Sequence, residues 1–499
     1  MLTRLRINGF KNLVDVDVAF GPFTCVAGLN GVGKSNLFDA IRFLSALADL
    51  PLREAALSTR GEGARTSEIK GLFHRVGEHN ATEMQFDAEM LIAAEGIDDL
   101  GRELTAAMTW VRYQLTLALE GQGLRVRREV LSSIPADEAE KRLRFPHLPV
   151  WRDSVVRAEG SSAVWISTVE QDGVVSIRLH PDIKLGDAGR TGRHVAEKLP
   201  RTVLSNVGAV ESPTAFLVRR EMQSWRLLQL EPAALRSPDD YGAPPSITTS
   251  GAHLPATLAR LAGQLPQAPT DQSATAEHAA AVYAQVANRL AELIDDVRSI
   301  RVIADDQREL LTLMLTDRTN TEHPARLLSD GALRFLALAV LEHAPEAGGL
   351  LCLEEPENGI HPRRIPAMLR LLKDLVVDTE EPVGPDNPLR QVIVNTHSSA
   401  VVSQVDAEDL LIAVPVPVQV AHLRSTRPAF RWLDGTWRTA SGADEESISL
   451  GTVLSYLHPQ EPAEDVEEDD AQCQPRPTRV MDRGDVRTWL SSSDSSRPS

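Results

Sequence analysis

The nine residues "GLNGVGKSN", from Gly28 to Asn36, have the composition and spacing of a loop that holds phosphate. They follow an apolar run, "FTCVA", and precede a helix-like segment, "SNLFDAIRFLSALADL". Glycines let the backbone fold round an anion without side-chain clashes, and amide hydrogens at a helix start point towards it. The pattern GxxxxGKS between a strand and a helix therefore predicts a nucleotide-phosphate site. The residues expected to bind there are Gly28, Asn30, Gly31, Gly33, Lys34, Ser35 and Asn36.

Two side chains of this loop, and two acids far along the chain, predict hydrolytic chemistry. Lys34 is expected to neutralise the β and γ phosphates, and Ser35 to bind Mg²⁺ through its hydroxyl. The segment "GGLLCLEEPENGIHP" is an apolar strand that ends in Glu354 and Glu355. Glu354 is expected to act as the metal carboxylate. Glu355 is displaced by one residue and so aimed differently, and we expect it to polarise the attacking water as general base.

Two further segments place polar residues where they could reach the same phosphate, one at the start of a helix and one at the end of a strand. "LLSDGALRFLALAVL" places Ser329, Asp330 and Gly331 before an apolar helical run, and "LRQVIVNTHSSAVV" is a buried strand ending in Thr396 and His397. A serine before a helix is commonly a cap, but the free amides there can also hold a phosphate. A histidine at a strand tip is commonly structural, but beside the other strand tips it can reach a γ phosphate. Taken alone, each segment leaves both alternatives open.

The composition describes a large, acidic chain. Its 499 residues, 42% of them hydrophobic, can bury at least one large core and are expected to form two or three domains. Three widely spaced cysteines predict reduced thiols rather than disulfides or a zinc knuckle. Residues 441–499 carry thirteen acidic and five basic side chains, hence −8 of the total −18, and predict a mostly disordered tail. No apolar stretch approaches the roughly 18 residues that cross a membrane, so we expect a cytoplasmic protein.

The elements that position the motifs can be predicted from their periodicity. "LTRLRINGF" and "VDVDVAF" predict a hairpin that leads into the strand "FTCVAG". "EMQFDAEMLI", "MTWVRYQLTLAL" and "LRVRREVLSS" predict an antiparallel sheet after the first helix. Between roughly residues 135 and 271, recurrent Pro, Gly and Ser predict a second or inserted domain with short helices such as "PTAFLVRREMQSWRLL". "AEHAAAVYAQVANRLAELIDDV" predicts an amphipathic helix that is too short for the arm of a long coiled coil.

In their order along the chain, these motifs resemble those of the ABC-type ATPases of the SMC and RecF group. They are most similar to the stand-alone ATPases related to the overcoming-lysogenization-defect (OLD) proteins. The segments that carry the resemblance are "LRINGFKNLVDVDVAF", "GLNGVGKSNLFDAIRFL", "LLSDGALRFLAL", "LLCLEEPENGIHP" and "VIVNTHSS". The resemblance implies an α/β P-loop NTPase fold with an ABC-type head, in which a mixed sheet with an antiparallel N-terminal part is flanked by helices. It also implies an inserted α+β or helical middle domain and no long coiled coil.

The expected domains and site residues follow from this resemblance. The domains are the first half of the head (1–134), the middle domain (135–271), the second half of the head (272–440) and the acidic tail (441–499). The resemblance makes Gly28 to Ser35 the Walker A loop, Glu354 the Walker B carboxylate, Glu355 the catalytic glutamate, Ser329 to Gly331 the signature motif, Asn358 to His361 the D-loop and His397 the switch histidine. Lys34, Glu355 and His397 are then the catalytic residues. The switch glutamine stays open between Gln85 and Gln114, both on predicted strands.

The resemblance further implies that two heads sandwich ATP and Mg²⁺. The signature of one subunit would complete the phosphate loop of the other, in a homodimer or a higher oligomer. Loss of the γ phosphate would remove the contacts that bridge the heads and let them part. The expected reaction is the hydrolysis of ATP to ADP and phosphate, and the expected output is a conformational cycle.

Three hypotheses describe what this cycle acts on. The first is double-stranded DNA, in phage defence or DNA repair; basic clusters such as Arg125, Arg127 and Arg128 favour it, with Trp151 available to stack on bases. The second is a protein scaffold or sensor without direct DNA contact. In either case a separate nuclease is the expected effector, because the roughly one hundred residues after His397 contain no convincing nuclease motif. The third is a transporter ATPase, which fits less well because the signature reads SDG where transporters have SGGQ.

Overall fold

The computed structural model describes residues 1–59, 66–121, 123–157, 163–182, 192–244, 246–264, 272–344, 348–420, 423–440, 447–449 and 453. The internal contacts divide the chain into residues 1–457 and residues 458–499. The second part lies outside the described residues, and so does nearly all of the tail for which disorder is predicted.

The described residues contain both strands and helices, as expected of an α/β chain. The strands are β1 (Leu2–Asn8), β2 (Val16–Ala19), β3 (Phe23–Gly28), β4 (Arg75–Val76), β5 (His79–Asn80), β6 (Glu83–Leu91), β7 (Glu95–Ile97), β8 (Glu103–Thr105), β9 (Trp110–Glu120), β10 (Gly123–Ser133), β11 (Val164–Gln171), β12 (Val174–Leu179), β13 (Arg193–Val195), β14 (Arg226–Leu228), β15 (Asp239–Asp240), β16 (Val297–Asp305), β17 (Leu310–Asp317), β18 (Glu322–Pro324), β19 (Gly349–Glu354), β20 (Arg390–Thr396), β21 (Leu410–Val420) and β22 (Leu423–Arg431). The helices are α1 (Lys34–Leu47), α2 (Leu52–Ser58), α3 (Ala139–Arg142), α4 (Pro149–Val155), α5 (Pro213–Gln223), α6 (Pro232–Leu235), α7 (Leu254–Leu261), α8 (Gln272–Leu293), α9 (Asp330–Glu342), α10 (Ile365–Asp374) and α11 (Ser399–Val402).

The first large sheet is antiparallel, with eight strands in the order β13-β12-β11-β10-β9-β6-β1-β2. Its strands alternate in side-chain type, which buries one face. In β1, Leu5 and Ile7 are buried, whereas the alternate residue Arg4 is on the other face and pairs with Asp17 of β2 at 2.5 Å. The predicted hairpin and the predicted antiparallel sheet after the first helix are therefore confirmed.

The second large sheet has six strands in the order β14-β19-β20-β3-β21-β22, and only its edge pair β21-β22 is antiparallel. Strands β3 and β20 are buried along their whole length, because both faces of a parallel sheet are covered. The strands β3, β19 and β20 all end at one edge. In the register of the sheet, Glu354 lies opposite Asn395 and Thr396 lies opposite Ala27. This edge therefore brings together the three strand tips that carry the predicted chemistry.

The six-stranded sheet lies between two hydrophobic cores. Alternate residues of β3 face opposite sides, so Val26 packs with α1 and the eight-stranded sheet, whereas Cys25 and Ala27 pack with α8, α9 and α10. Two of the three cysteines, Cys25 and Cys352, are buried and free, and burial raises the pKa of both thiols. They are neutral core residues, as predicted. Coverage of both faces holds the strand tips on a close-packed support.

The middle of the chain contributes strands to both large sheets. Strands β11, β12 and β13 extend the eight-stranded sheet beyond β10, and β14 forms an edge of the six-stranded sheet beside β19. The prediction of one helix over "PTAFLVRREMQSWRLL" is wrong at its end: α5 stops at Gln223, and the last residues form β14. Parallel pairing with the buried strand β19 outweighs the helical pattern there. The predicted boundaries at residues 134 and 271 stay a prediction.

A buried carboxylate on β10 makes the stability of the fold depend on pH. Glu129 is fully buried and accepts hydrogen bonds from the Tyr113 hydroxyl (3.1 Å) and from the backbone N–H groups of Val203 (2.8 Å) and Leu204 (2.9 Å). Burial raises its pKa to about 7, from an ordinary value of 4.5. Between these two values the folded chain keeps a proton that the unfolded chain has released. The stabilisation from this proton is complete below the lower value and is lost as the pH rises through the upper one.

We therefore expect the free energy of unfolding to fall by about 3 kcal/mol as the pH rises across this window. Glu129→Gln should remove this part of the slope, because an amide does not titrate. Urea unfolding of both proteins at several pH values between about 5 and 8 measures the difference. Equal slopes in the two proteins would contradict the assignment.

Candidate functional site

The predicted phosphate loop connects β3 to α1, between the two elements that the sequence predicts. β3 ends at Gly28, and α1 begins at Lys34. The residue before the helix, Gly33, has φ +125°, which L side chains rarely adopt. A Cβ at Gly33 would also lie 2.6 Å from the side-chain nitrogen of Asn12, so both backbone conformation and space require glycine here.

The ammonium group of Lys34 lies inside the loop. Lys34 is 6% exposed, and its Nζ donates hydrogen bonds to the carbonyl oxygens of Gly28 (2.6 Å) and Leu29 (3.0 Å). Burial lowers the pKa of Lys34, and the nearby carboxylates, Glu355 first among them, act in the opposite direction. A buried cation at the start of α1, where the first backbone N–H groups of a helix have no intrahelical partner, is suited to an anionic ligand.

Asn12 braces the loop, and the sequence analysis did not single it out. Its side-chain nitrogen donates to the carbonyl oxygen of Val32 (3.0 Å), and its side-chain oxygen accepts from the Asn36 amide (2.7 Å). The sequence shows Asn12 only as part of a turn between two strands. Its contact with the loop exists because β1 and β3 are brought together by the fold.

The two acids at the end of β19 are aimed differently, as expected from their adjacent positions. Glu354 is exposed, and its Oε1 accepts from the Asn395 side-chain nitrogen (3.2 Å). The backbone N–H of Glu355 donates to the Asn395 carbonyl oxygen (3.0 Å) and lies 3.1 Å from its side-chain oxygen. One buried amide side chain on β20 thus contacts both acids, and the sequence analysis missed it.

Glu355 is held by two further side chains. Its Oε2 accepts from the Asn358 amide (2.7 Å), and its Oε1 lies 2.6 Å from Nδ1 of His397. Its φ of +46° is unusual for a residue with a side chain and stores about 1 kcal/mol of strain. The surrounding contacts hold the carboxylate in one orientation. The structure therefore brings together Glu355, Asn358 and His397, which lie in three separate parts of the predicted motifs.

A cavity of about 500 Å³ opens between the phosphate loop and these acids. It is lined by Asn30, Gly31, Gly33, Lys34, Ser35, Asn36, Glu354, Glu355, Asn358 and Asn395. The two candidates for the switch glutamine do not line it. Gln114 is bonded on the eight-stranded sheet to Asp87 (3.1 Å) and Arg128 (3.2 Å), and Gln85 is exposed on β6.

The signature residues lie outside this cavity. Ser329 caps α9, accepting from the N–H of Ala332 (3.3 Å), and Asp330 pairs with Arg236 (2.5 Å). Gly331 is buried against the D-loop: a Cβ there would lie 2.3 Å from the carbonyl oxygen of Gly359. Ser329 and Asp330 are exposed. The capping role is therefore present, and neither exposed residue lines the cavity, while the predicted contact with phosphate across a dimer interface stays a prediction.

The donor groups at the cavity fit a hard, hydrated cation. Among the described residues there is no group of three or more His, Cys, Asp or Glu side chains that could enclose a metal ion. The Ser35 hydroxyl and the Glu354 carboxylate both line the cavity. Mg²⁺ is commonly held by one or two protein oxygens together with phosphate oxygens and water, and would supply charge neutralisation there.

Some of the side chains that the DNA hypothesis invoked are engaged within the fold, whereas Arg125 and Arg128 are exposed. Trp151 is fully buried, with its ring centroid 5.4 Å from that of Phe145, so the prediction that it is available to stack on bases is wrong. Arg127 pairs with Glu120, and Arg142 pairs with the buried carboxylate of Glu89 at 2.7 Å. Trp151 is engaged by apolar packing, and Arg127 and Arg142 are engaged by ion pairs. The clustering of basic residues in the sequence does not show these contacts. Within the described residues, no helix is both long and apolar enough to cross a membrane.

Two segments of the sequence match models of known protein families. The sequence model described as "AAA domain, putative AbiEii toxin, Type IV TA system" matches residues 200–403, and a second AAA domain model matches residues 4–90. No curated protein matches the sequence.

Solved structures of SMC heads are similar at low identity. An SMC head bound to the C-winged helix domain of ScpA is 13% identical, covering 87% of this chain and 98% of that chain, with a TM-score of 0.43. An SMC head with an extended coiled coil, bound to the C-terminal domain of ScpA derived from Pyrococcus furiosus, is 13% identical over 86% and 96%, with a TM-score of 0.39. The SMC head domain from Thermotoga maritima is 14% identical over 86% and 98%, with a TM-score of 0.34.

The two sequence matches coincide with the two halves of the site. The match over residues 4–90 contains the phosphate loop, and the match over residues 200–403 contains the signature, the acids and His397. The structure brings these halves to one edge of a parallel sheet. The two AAA-domain matches, which meet at this edge of the sheet, therefore identify the chain as an ATPase.

Proposed function

We propose that the chain is an ATP-driven switch, in which two copies close around ATP and part after hydrolysis. What supports this proposal is that the cavity contains the phosphate loop and the acids but none of the signature residues, of which Ser329 and Asp330 are exposed elsewhere on the same chain. A second copy can supply them. ATP then lies between the Lys34 loop of one subunit and the Ser329 segment of the other.

Within this proposal each residue has a defined task. Lys34 and the loop amides hold the β and γ phosphates, and Ser35 and Glu354 orient hydrated Mg²⁺. Glu355 takes the proton of the attacking water, in an orientation set by Asn358 and His397. Hydrolysis removes the charge that bridges the two subunits, so they separate.

The proposal extends to what the switch acts on. The pairing of Arg127 and Arg142 and the burial of Trp151 favour a protein partner over direct contact with DNA. We propose a separate effector, such as a nuclease, in a defence or DNA-maintenance role. ATP turnover with and without double-stranded DNA ends tests this choice. Turnover that is indifferent to DNA supports a protein partner, and strong stimulation by DNA supports the alternative of a DNA sensor.

A mixing experiment tests the composite site. Ser329→Arg places a bulky charge at the exposed signature, and Lys34→Met removes the loop cation; each variant alone should lack turnover. Mixed together, they form heterodimers with one intact site, which combines Lys34 of one chain with Ser329 of the other, so turnover should return. Ser329→Ala controls for loss of the helix cap, which costs about 1 kcal/mol. Failure of the mixture to recover, with both variants folded, would contradict a site shared between subunits.

A further inference from the structure

The end of β20 and the residue after it contact three glutamates, which lie at the end of β19 and just beyond it. The side chains of the three consecutive residues Asn395, Thr396 and His397 each contact the carboxylate of a different one. Asn395 donates to Glu354 (3.2 Å), and His397 lies 2.6 Å from Glu355. The hydroxyl of Thr396 donates to Glu357. The first two pairs face the site, and the third lies behind it.

The Thr396–Glu357 pair differs from the other two in its burial. Thr396 is fully buried, and Glu357 is 7% exposed. Oε1 of Glu357 accepts from the Thr396 hydroxyl, while its Oε2 is buried without a hydrogen-bond partner. Neither residue lines the cavity. Burial raises the pKa of Glu357, and the hydrogen bond from Thr396 opposes this shift.

Stability alone does not account for a carboxyl group in this place. A buried polar oxygen without a partner costs about 1–3 kcal/mol, and an apolar residue of similar size would avoid that cost. The hydrogen bond has a second effect, because the Thr396 oxygen also accepts from the backbone N–H of Ser398 (2.9 Å). Thr396 therefore fixes the backbone on both sides of His397.

We propose that Glu357 is a positioning residue for hydrolysis, acting through the Thr396 hydroxyl to hold His397 against Glu355. This inference rests on the proposed function, since it assigns Glu355 and His397 to the reaction. Glu357 itself touches neither nucleotide nor metal in this proposal. Without its hydrogen bond the turn after β20 is free to shift, and the His397 ring moves away from the carboxylate that it orients.

Four variants distinguish an effect of the Thr396–Glu357 hydrogen bond from an effect of the charge on Glu357. Thr396→Val and Glu357→Leu remove the hydrogen bond while roughly keeping the volume. Thr396→Ser keeps the hydroxyl, and Glu357→Gln keeps an acceptor oxygen but not the charge. We expect the first two to lower kcat about 10–100-fold with KM for ATP nearly unchanged, and the last two to stay within about threefold of the unmodified chain. Glu129→Gln, which removes a buried carboxylate on β10, is the matched control and should leave kcat unchanged.

Two outcomes would overturn the inference. One is normal turnover in Thr396→Val. The other is an equal loss in Glu357→Gln and Glu357→Leu, which would assign the effect to charge rather than to the hydrogen bond. Absence of turnover in the unmodified chain, with ATP and Mg²⁺ bound, would instead count against the proposed function.

A measurement that does not depend on ATP turnover distinguishes failure of this inference from failure of the proposed function. With ¹³C-labelled histidine, the ring signal of His397, assigned by its loss in His397→Gln, should move in Thr396→Val and Glu357→Leu. It should stay in place in Thr396→Ser and Glu129→Gln. An unmoved signal in Thr396→Val would exclude the positioning role, whether or not the chain hydrolyses ATP.

Discussion

Glu355→Gln is expected to lower kcat for ATP hydrolysis about 10²–10⁴-fold, which is the usual contribution of a general base. Glutamine has the same length and keeps an oxygen that can accept from Asn358 (2.7 Å in the native site), but it cannot take a proton from water. Nucleotide binding should persist, because Lys34 and the loop are unchanged. The γ phosphate then stays in place, and the closed dimer should accumulate.

Two measurements on the purified chain check this result. Phosphate release gives kcat, and light scattering after gel filtration with ATP and Mg²⁺ gives the mass of the complex. Glu197→Gln is a suitable control, since Glu197 is exposed and does not line the cavity. A Glu355→Gln protein that hydrolyses ATP within a few-fold of the unmodified chain would exclude Glu355 as the base.

Lys34→Met is expected to weaken ATP binding, which is the second large effect. The lysine is buried, and its ammonium group bonds to the carbonyl oxygens of Gly28 and Leu29. A charge-assisted contact to phosphate contributes about 1.5–3 kcal/mol, so its loss should weaken ATP binding about 10–100-fold. Methionine keeps the length of the side chain, which limits the effect to the missing charge.

Calorimetric titration with ATP and Mg²⁺ measures this affinity directly. Lys198→Met, at an exposed lysine in a surface turn, should bind ATP as the unmodified chain does. Thermal unfolding of Lys34→Met without nucleotide shows whether the loop carbonyl oxygens tolerate the loss of their donor. Unchanged affinity in a folded Lys34→Met protein would remove Lys34 from the phosphate site.

Much of the site could be predicted from short segments of the sequence. In "FTCVAGLNGVGKSN" the apolar run, the glycines and the following Lys34 specify a strand, a loop and a helix start within a few residues. The run that ends in Glu354 and Glu355 is equally local. Parallel strands end at the same edge of their sheet, so local patterns are enough to predict that these groups approach one another.

Contacts between distant segments could not be predicted in this way. Asn12 and Asn395 each brace a motif that lies elsewhere in the sequence, and nothing in their own neighbourhood distinguishes them from other turn and strand residues. The last residues of the helix predicted beyond Gln223 form the strand β14 instead, because they pair with β19. Trp151 looked accessible beside its basic neighbours but lies in a hydrophobic core.

The sequence by itself determined the α/β class, the ATPase assignment and the chemical groups of the candidate site, because these depend on residue types and spacings within short segments. The tertiary structure decided which side chains orient those groups and which charges are already paired. Hydrogen bonds such as Thr396 to Glu357, and ion pairs such as Arg142 to Glu89, form only after folding has brought separate strands into register. Their energies depend on burial, which is a property of the whole fold rather than of any one segment.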